Sequence, residues 1–164
     1  MGKDKSWKLE RNIGTEDKQL TTPEHDKLCM WIYTHSAEVL CQDYRIYEKM
    51  KELGVVEKGP ALTCDTLVWE EPIMNGKFVV GIPDFSYSLT IHTKVPEENG
   101  KTCEISDRGY IEVKPKIYSL GEVMRQVKLY KQYGHQHIIL VTSTPDYKDI
   151  FEEQKIGYVV HALD

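Results

Sequence analysis

The chain has 164 residues, of which 40% are apolar and 29% charged, and its formal net charge is −5 at pH 7. This length and balance are typical of one soluble globular domain with a core of its own. No apolar run approaches the ~18 residues that a membrane helix needs, and no secretory signal follows the charged first residues, so we expect a cytoplasmic protein with no membrane partner. The negative net charge also argues against a protein that coats nucleic acid without specificity.

The first third of the chain predicts an arm followed by helices. Residues 1–20 are polar with little periodicity, so we expect a flexible arm there and a single domain over residues 21–164. Thr22, Pro23 and Glu24 predict a helix start, with a threonine cap, proline at the first helical position and acid in the first turn. We expect two helices with a break near residues 41–43, ended by Gly54.

The middle of the chain predicts three strands joined by antiparallel hairpins. They are the apolar, β-branched runs at residues 60–68, 78–91 and 109–114. The second is expected to bend at Pro83, which removes a hydrogen-bond donor from the sheet. Residues 70–75 and 94–107 are expected to be connections, and Asn75-Gly76 indicates a tight hairpin turn.

The last third predicts a helix, a strand, a second helix and a last strand. Ser119 and Glu122 predict the start of the first helix as a capping box, and Gly134 its end. The apolar run 137–142 is typical of a buried, parallel strand. Residues 145–155 predict the second helix and residues 157–161 the last strand. The complete order predicts an α/β (α+β) fold with a mixed sheet.

Neither the cysteines nor the histidines have a spacing typical of a metal site. The cysteines, at positions 29, 41, 64 and 103, contain no CxxC pair, and the six histidines contain no HExxH pair. Free thiols in a reducing compartment are therefore favoured over a zinc site. His135 and His137 could share one strand face, where a polar pair at a strand edge is the favoured interpretation.

Polar residues of three predicted elements form an ordered set. Glu112 and Lys114 are two apart in a predicted strand, so their side chains point to the same face. Asp84 follows Pro83 within the preceding strand, and Gln126 and Tyr130 are four apart on one face of a helix. Pro83-Asp84, Glu112-x-Lys114 and Gln126-x-x-x-Tyr130 together resemble the PD-(D/E)xK nuclease superfamily, the last pair being similar to the QxxxY motif of its RecB-type and lambda-exonuclease-like branch.

The resemblance covers the middle and C-terminal two-thirds of the chain and implies a fold and a chemistry. The implied fold is a restriction-endonuclease-like αβββαβ core with flanking helices, which the predicted element order matches. The implied site holds Mg²⁺ or Mn²⁺ between Asp84, Glu112 and the main-chain carbonyl of Val113. Lys114 would orient the attacking water or stabilise charge. An acid near the start of the first helix is also implied, for which Glu24 is the best match, with Glu38 as the alternative.

Two further groups of residues would contact the substrate or support the site. The resemblance implies that Gln126 and Tyr130 steady Lys114 or touch DNA phosphate. Six basic residues against two acidic ones between positions 108 and 132, with Lys116 and Arg125 among them, form a local patch that could guide a phosphate backbone. Simpler interpretations remain: a core aromatic for Tyr130, a solvated helix face for the patch, and helix-dipole complementation by Glu24.

The function expected from this resemblance is a Mg²⁺- or Mn²⁺-dependent deoxyribonuclease. Because cutting both strands of DNA requires two active sites, we expect a homodimer or a partner protein that supplies specificity. The alternative is a catalytically silent protein of the same fold that binds nucleic acid or protein as an assembly factor. An unrelated α/β binding domain with coincidental motifs is a third possibility.

Overall fold

The computed structural model describes residues 22–55, 61–92 and 104–164, which form a mixed α/β fold. The predicted arm at residues 1–20 lies outside the described residues. The helices are α1 Pro23–Thr34, α2 Ser36–Cys41, α3 Tyr44–Glu52, α4 Leu120–Tyr133 and α5 Lys148–Glu153. The strands are β1 Leu62–Trp69, β2 Ile73–Asn75, β3 Phe78–Gly81, β4 Phe85–His92, β5 Glu104–Val113, β6 Ile138–Thr142 and β7 Gly157–Val160. None of these helices has the length and apolar character needed to cross a membrane.

Five strands form one mixed sheet in the order β1-β4-β5-β6-β7. The pairs β1–β4 and β4–β5 are antiparallel, whereas β5–β6 and β6–β7 are parallel. The short strands β2 and β3 form a separate antiparallel hairpin. The buried run of β6 confirms the prediction of a parallel strand in the interior of the sheet.

Local chemistry sets the helix ends where the sequence predicts them. The Thr22 hydroxyl accepts a hydrogen bond from the backbone N–H of His25 at 3.2 Å, and Pro23 is the first residue of α1. The Ser119 hydroxyl accepts the backbone N–H of Glu122 at 3.4 Å to cap α4. Gly54 follows α3 with a φ of +67°, a conformation that favours glycine.

Two apolar clusters cover the two faces of the sheet. The first packs helices α1 to α3 on one face and contains Ile111 and Val113 of β5. The second packs α4 and α5 on the other face and contains Tyr110 of β5 with Val127 and Tyr130 of α4. Because side chains alternate along a strand, Glu112 lies on the face of Tyr110 and so towards α4.

Several predicted boundaries are wrong, and each error has a structural reason. The expected strand 78–91 is two strands, because the chain passes Pro83 from the small hairpin into the main sheet. The expected connection 70–75 contains β2, which is too short to show a pattern. The polar residues 104–107, expected to be a connection, begin β5, because they pair with β4.

Two predicted helical regions also differ in their bounds. The first region has three helices rather than two, because α1 already ends at Thr34 and a separate α2 follows. The last helix is shorter than residues 145–155, since α5 covers only Lys148–Glu153. His135 and His137 precede β6 and do not share a strand face.

Candidate active site

Three of the predicted site residues meet where β4 begins and β5 ends. Phe85, the first residue of β4, pairs with Ile111 of β5. Asp84 precedes Phe85 in an antiparallel pair, so it comes next to Glu112 and Val113. Lys114 follows directly and continues the chain beside β6, where its backbone N–H donates to the Val141 carbonyl at 2.9 Å.

Asp84 is a buried carboxylate with both oxygens engaged. Its Oδ2 accepts a hydrogen bond from the backbone N–H of Val113 at 2.8 Å. Its Oδ1 lies 3.1 Å from Nε2 of His25, on α1. Only 7% of the residue is exposed. The carboxylate therefore joins the start of β4 to the end of β5 and to the first turn of α1.

Glu112 is buried too, but only one of its oxygens is engaged. Oε1 lies 2.8 Å from Nζ of Lys114 and accepts a hydrogen bond from Nε2 of Gln126 at 2.9 Å. The same Gln126 amide donates to the Tyr130 hydroxyl at 2.6 Å, which uses both of its N–H bonds. Oε2 is buried and has no hydrogen-bond partner among the described residues. A buried carboxylate oxygen without a partner is costly and suits a bound cation.

The charges of this site perturb one another. Burial of Glu112 and the nearby negative charge of Asp84 raise the pKa of Glu112 to about 7, although Lys114 opposes this. Desolvation lowers the pKa of Lys114, but the attraction and hydrogen bond of Glu112 outweigh it and the net pKa is raised. Burial, with the Glu112 charge, also raises the pKa of the Tyr130 phenol. Lys114 therefore stays cationic and Tyr130 neutral at physiological pH.

A histidine and a cysteine of α1 adjoin Asp84. Sγ of Cys29 lies 3.6 Å from Nδ1 and 3.9 Å from Nε2 of His25. One ligand atom from each of His25, Cys29 and Asp84 can be chosen so that all lie within 4.8 Å of one another, a spacing that could hold a metal ion. Sequence reasoning missed this cluster because it tested cysteines only against one another. The four-residue spacing of His25 and Cys29, which places both on one helix face, was the available signal.

The α1 acid expected at the site is not among the buried residues. Glu24 is exposed in the first turn of α1, and the residue of that turn that contacts Asp84 is its neighbour His25. The alternative acid, Glu38, is exposed on α2. A catalytic role for Glu24 remains a prediction.

Of the other predicted residues, Val113 joins the site through its backbone N–H, which donates to Asp84. The Val113 side chain is buried in the first apolar cluster, and the role of its carbonyl stays a prediction. Arg125 is exposed on α4. Lys116 is exposed, with its Nζ 5.3 Å from the centroid of the Tyr118 ring.

Comparison with protein-family models, with curated proteins and with solved structures found no match. The geometry of the site is therefore the ground for a functional proposal.

Proposed function

We propose that the protein is a metal-dependent hydrolase of phosphodiester bonds, with a PD-(D/E)xK-type active site. The observation that carries the proposal is the meeting of Asp84, Glu112 and Lys114, two carboxylates and an amine contributed by adjacent strands. More particularly, we propose a nuclease that acts on DNA.

The order of the elements supports a restriction-endonuclease-like core. Helix α1, the antiparallel strands β1, β4 and β5, helix α4 and the parallel strand β6 follow one another as in the αβββαβ arrangement. In that arrangement Asp84 begins the second strand of the core, and Glu112 with Lys114 ends the third. The β2–β3 hairpin is then an insertion between the first and second strands.

The carboxylates fit a hard divalent cation. The partnerless Oε2 of Glu112 and the carboxylate of Asp84 would hold Mg²⁺ or Mn²⁺, ions that prefer oxygen ligands. A bound ion of this kind offsets phosphate charge and makes water a better nucleophile.

The remaining residues of the site have separate roles in this proposal. Lys114 holds a positive charge beside Glu112 with 31% of its side chain exposed, so its amine can reach a phosphate oxygen or a water molecule. Gln126 fixes the orientation of Glu112 through Oε1, and the Tyr130 hydroxyl fixes that of Gln126. The pair on α4 therefore acts on Glu112 directly and on Lys114 only through Glu112.

DNA is the proposed substrate because exposed basic residues lie close in sequence to Lys114 and Gln126. Lys116 and Arg125 are exposed on the segments that follow Lys114, and neither makes an ion pair within 4.0 Å with an acidic side chain of the described residues. Phosphate contacts of this kind position a duplex without reading its sequence. Specificity and the second cut are then left to a second copy or a partner protein.

The experiment is a cleavage assay on linear, circular, single-stranded and branched DNA and on RNA, in Mg²⁺ or Mn²⁺. Asp84→Asn and Lys114→Ala are the test variants, and the exposed residues Asp149 and Lys51 provide matched controls as Asp149→Asn and Lys51→Ala. Metal-dependent cutting that is lost in both test variants and kept in both controls supports the proposal. Cutting that survives the test variants contradicts it. No cutting by folded protein on any substrate favours the silent binding or assembly protein.

A further inference from the structure

The cluster of His25, Cys29 and Asp84 offers one nitrogen, one sulfur and one oxygen to a common point. Nε2 of His25 lies 3.1 Å from Oδ1 of Asp84 and 3.9 Å from Sγ of Cys29. The helical spacing of His25 and Cys29 and the position of Asp84 before β4 create this arrangement. The nuclease site proposed above uses only the Asp84 oxygens of this set.

We propose that His25, Cys29 and Asp84 form a site for a thiophilic divalent cation, Zn²⁺, which shares Asp84 with the proposed Mg²⁺ or Mn²⁺ site and differs from it in its other ligands. Thiolate, imidazole and carboxylate are the three ligand types that zinc takes in proteins, whereas Mg²⁺ takes oxygen ligands almost alone. A cysteine therefore shifts the preference of the cluster away from the hard ions that the catalytic carboxylates suit.

Two of the three separations between ligand atoms are close to those that zinc requires, and the third, between Cys29 and Asp84, is within 4.8 Å. From the usual Zn–N, Zn–O and Zn–S bond lengths, ligand atoms around a tetrahedral ion lie about 3.4–3.6 Å apart. The two distances from His25 Nε2 bracket this range. Because Sγ of Cys29 lies 3.6 Å from Nδ1 and 3.9 Å from Nε2, the imidazole ring must turn before Nε2 can point at an ion shared with the thiol. Nδ1 of His25 lies 4.0 Å from the Asp26 carboxylate, which is too long for a hydrogen bond but close enough for Asp26 to become the outer partner of a zinc-bound histidine if the ring turns.

The surroundings of the cluster also favour a bound cation. His25 is 9% exposed, Asp84 7% and Cys29 fully buried. The protein thus excludes water from most of the coordination sphere, and three protein ligands leave a fourth position for one water molecule. The simpler interpretation is a histidine that orients Asp84 beside a cysteine that serves as a small apolar residue. The thiol also lies within hydrogen-bond distance of His25 Nδ1, so metal binding must be tested directly.

Occupancy by zinc has a consequence at the neighbouring site. Asp84 belongs to both ligand sets, so a Zn²⁺ ion that binds its carboxylate competes for the group that the catalytic ion needs. We therefore expect Zn²⁺ to inhibit cleavage, a consequence that rests on the proposed nuclease function. The binding of zinc itself does not rest on it.

Cobalt provides a direct readout of the thiol ligand. Co²⁺ replaces zinc in such sites, and a thiolate ligand produces a charge-transfer absorption band in the near ultraviolet. We expect the full-length, reduced protein to develop this band with one equivalent of Co²⁺ and to lose it when Zn²⁺ is added. Cys29→Ser should abolish the band, and Cys41→Ser, which changes a half-buried cysteine on α2, should keep it.

A second variant protects the test against misfolding of Cys29→Ser. His25→Gln keeps the thiol but removes the nitrogen ligand, and it should weaken Co²⁺ binding at least about tenfold. Circular dichroism would establish that each variant is folded. A band that persists in Cys29→Ser, or that is absent from the unsubstituted protein, overturns the zinc site.

The two proposals fail in distinguishable ways. If Zn²⁺ inhibits Mg²⁺-dependent cleavage, Cys29→Ser should need about tenfold more Zn²⁺ for the same inhibition, while Cys41→Ser should match the unsubstituted protein. Cleavage without a cobalt–thiolate band refutes the zinc site and leaves the nuclease. A band without cleavage supports the zinc site and counts against the nuclease.

Discussion

The raised pKa of Glu112 makes the stability of the metal-free protein depend on pH in a way that one substitution should remove. Burial and the Asp84 charge raise this pKa from its ordinary value of 4.5 to about 7. The folded state therefore binds the proton more tightly than the unfolded chain does. The resulting stabilisation is complete below about pH 4.5 and is lost as the pH rises through about 7. A shift of this size corresponds to about 3 kcal/mol in the free energy of unfolding.

The test is Glu112→Gln, which keeps the shape of the side chain but cannot ionise. Urea unfolding at pH 5 and at pH 8, with a chelator present, gives the free energy of unfolding of both proteins. From pH 5 to pH 8 the substituted protein should gain stability relative to the unsubstituted one by about 2.5 kcal/mol. Titrating groups that do not interact with Glu112 are common to both proteins and cancel in this difference.

A metal ion should reverse the effect in one protein only. Mn²⁺ at ~100 times its dissociation constant should stabilise the unsubstituted protein by about 2.7 kcal/mol at pH 8, and Glu112→Gln should respond much less. Glu48→Gln, an exposed change on α3, is the matched control and should leave the pH dependence unchanged. Parallel stability curves for Glu112→Gln and the unsubstituted protein would refute the reasoning, because they would show that Glu112 does not change its pKa on folding.

Three other substitutions test the supporting structure. Tyr130→Phe removes the acceptor of the Gln126 amide and should cost about 1 kcal/mol in urea unfolding; if it also leaves cleavage unchanged, Gln126 does not need this contact. Phe151→Ala empties a fully buried position and should cost about 3–5 kcal/mol, and a loss below 1 kcal/mol would contradict its core position. Asp43→Ala removes the side-chain cap of α3 and leaves Arg45 without its 3.1 Å ion pair. It should cost at least about 2 kcal/mol, and an unchanged melting temperature would show that the cap is dispensable.

Elements with local causes could be predicted from the sequence. The cap at Thr22, the stop at Gly54 and the turn at Asn75-Gly76 depend on residues that are neighbours in the chain, and the structure confirms all three. The separation of β3 from β4 was not predictable in the same way. Strand β3 pairs with β2, whereas β4 pairs with β1 and β5. Pairing between strands that are distant in sequence is not encoded in the local sequence pattern.

In the candidate site, too, some contacts could be predicted from the sequence and others could not. The approach of Asp84 to Glu112 follows from strand pairing, so motif order and hairpin topology sufficed to predict it. The contact of His25 with Asp84 depends on how α1 packs against the sheet, a long-range property with no local signature. The same reason explains why Glu24, one residue earlier and equally acceptable by position, is exposed instead. Sequence position alone could identify the correct turn of α1 but not the residue that faces the site.

Asp84 and Glu112 differ in how many of their carboxylate oxygens already have a partner, so we expect them to bind an ion differently. Oδ2 of Asp84 accepts a hydrogen bond from a backbone N–H, and Oδ1 contacts His25. The protein alone therefore fixes the orientation of this carboxylate. Oε1 of Glu112 contacts Lys114 and Gln126, whereas Oε2 is buried and has no hydrogen-bond partner among the described residues. The contact of a bound cation with Glu112 should therefore contribute most of the binding free energy. The cation gives the buried Oε2 a partner and stabilises the ionised carboxylate. At Asp84 it must replace or share an existing contact, so this carboxylate is where ions with different ligand preferences compete.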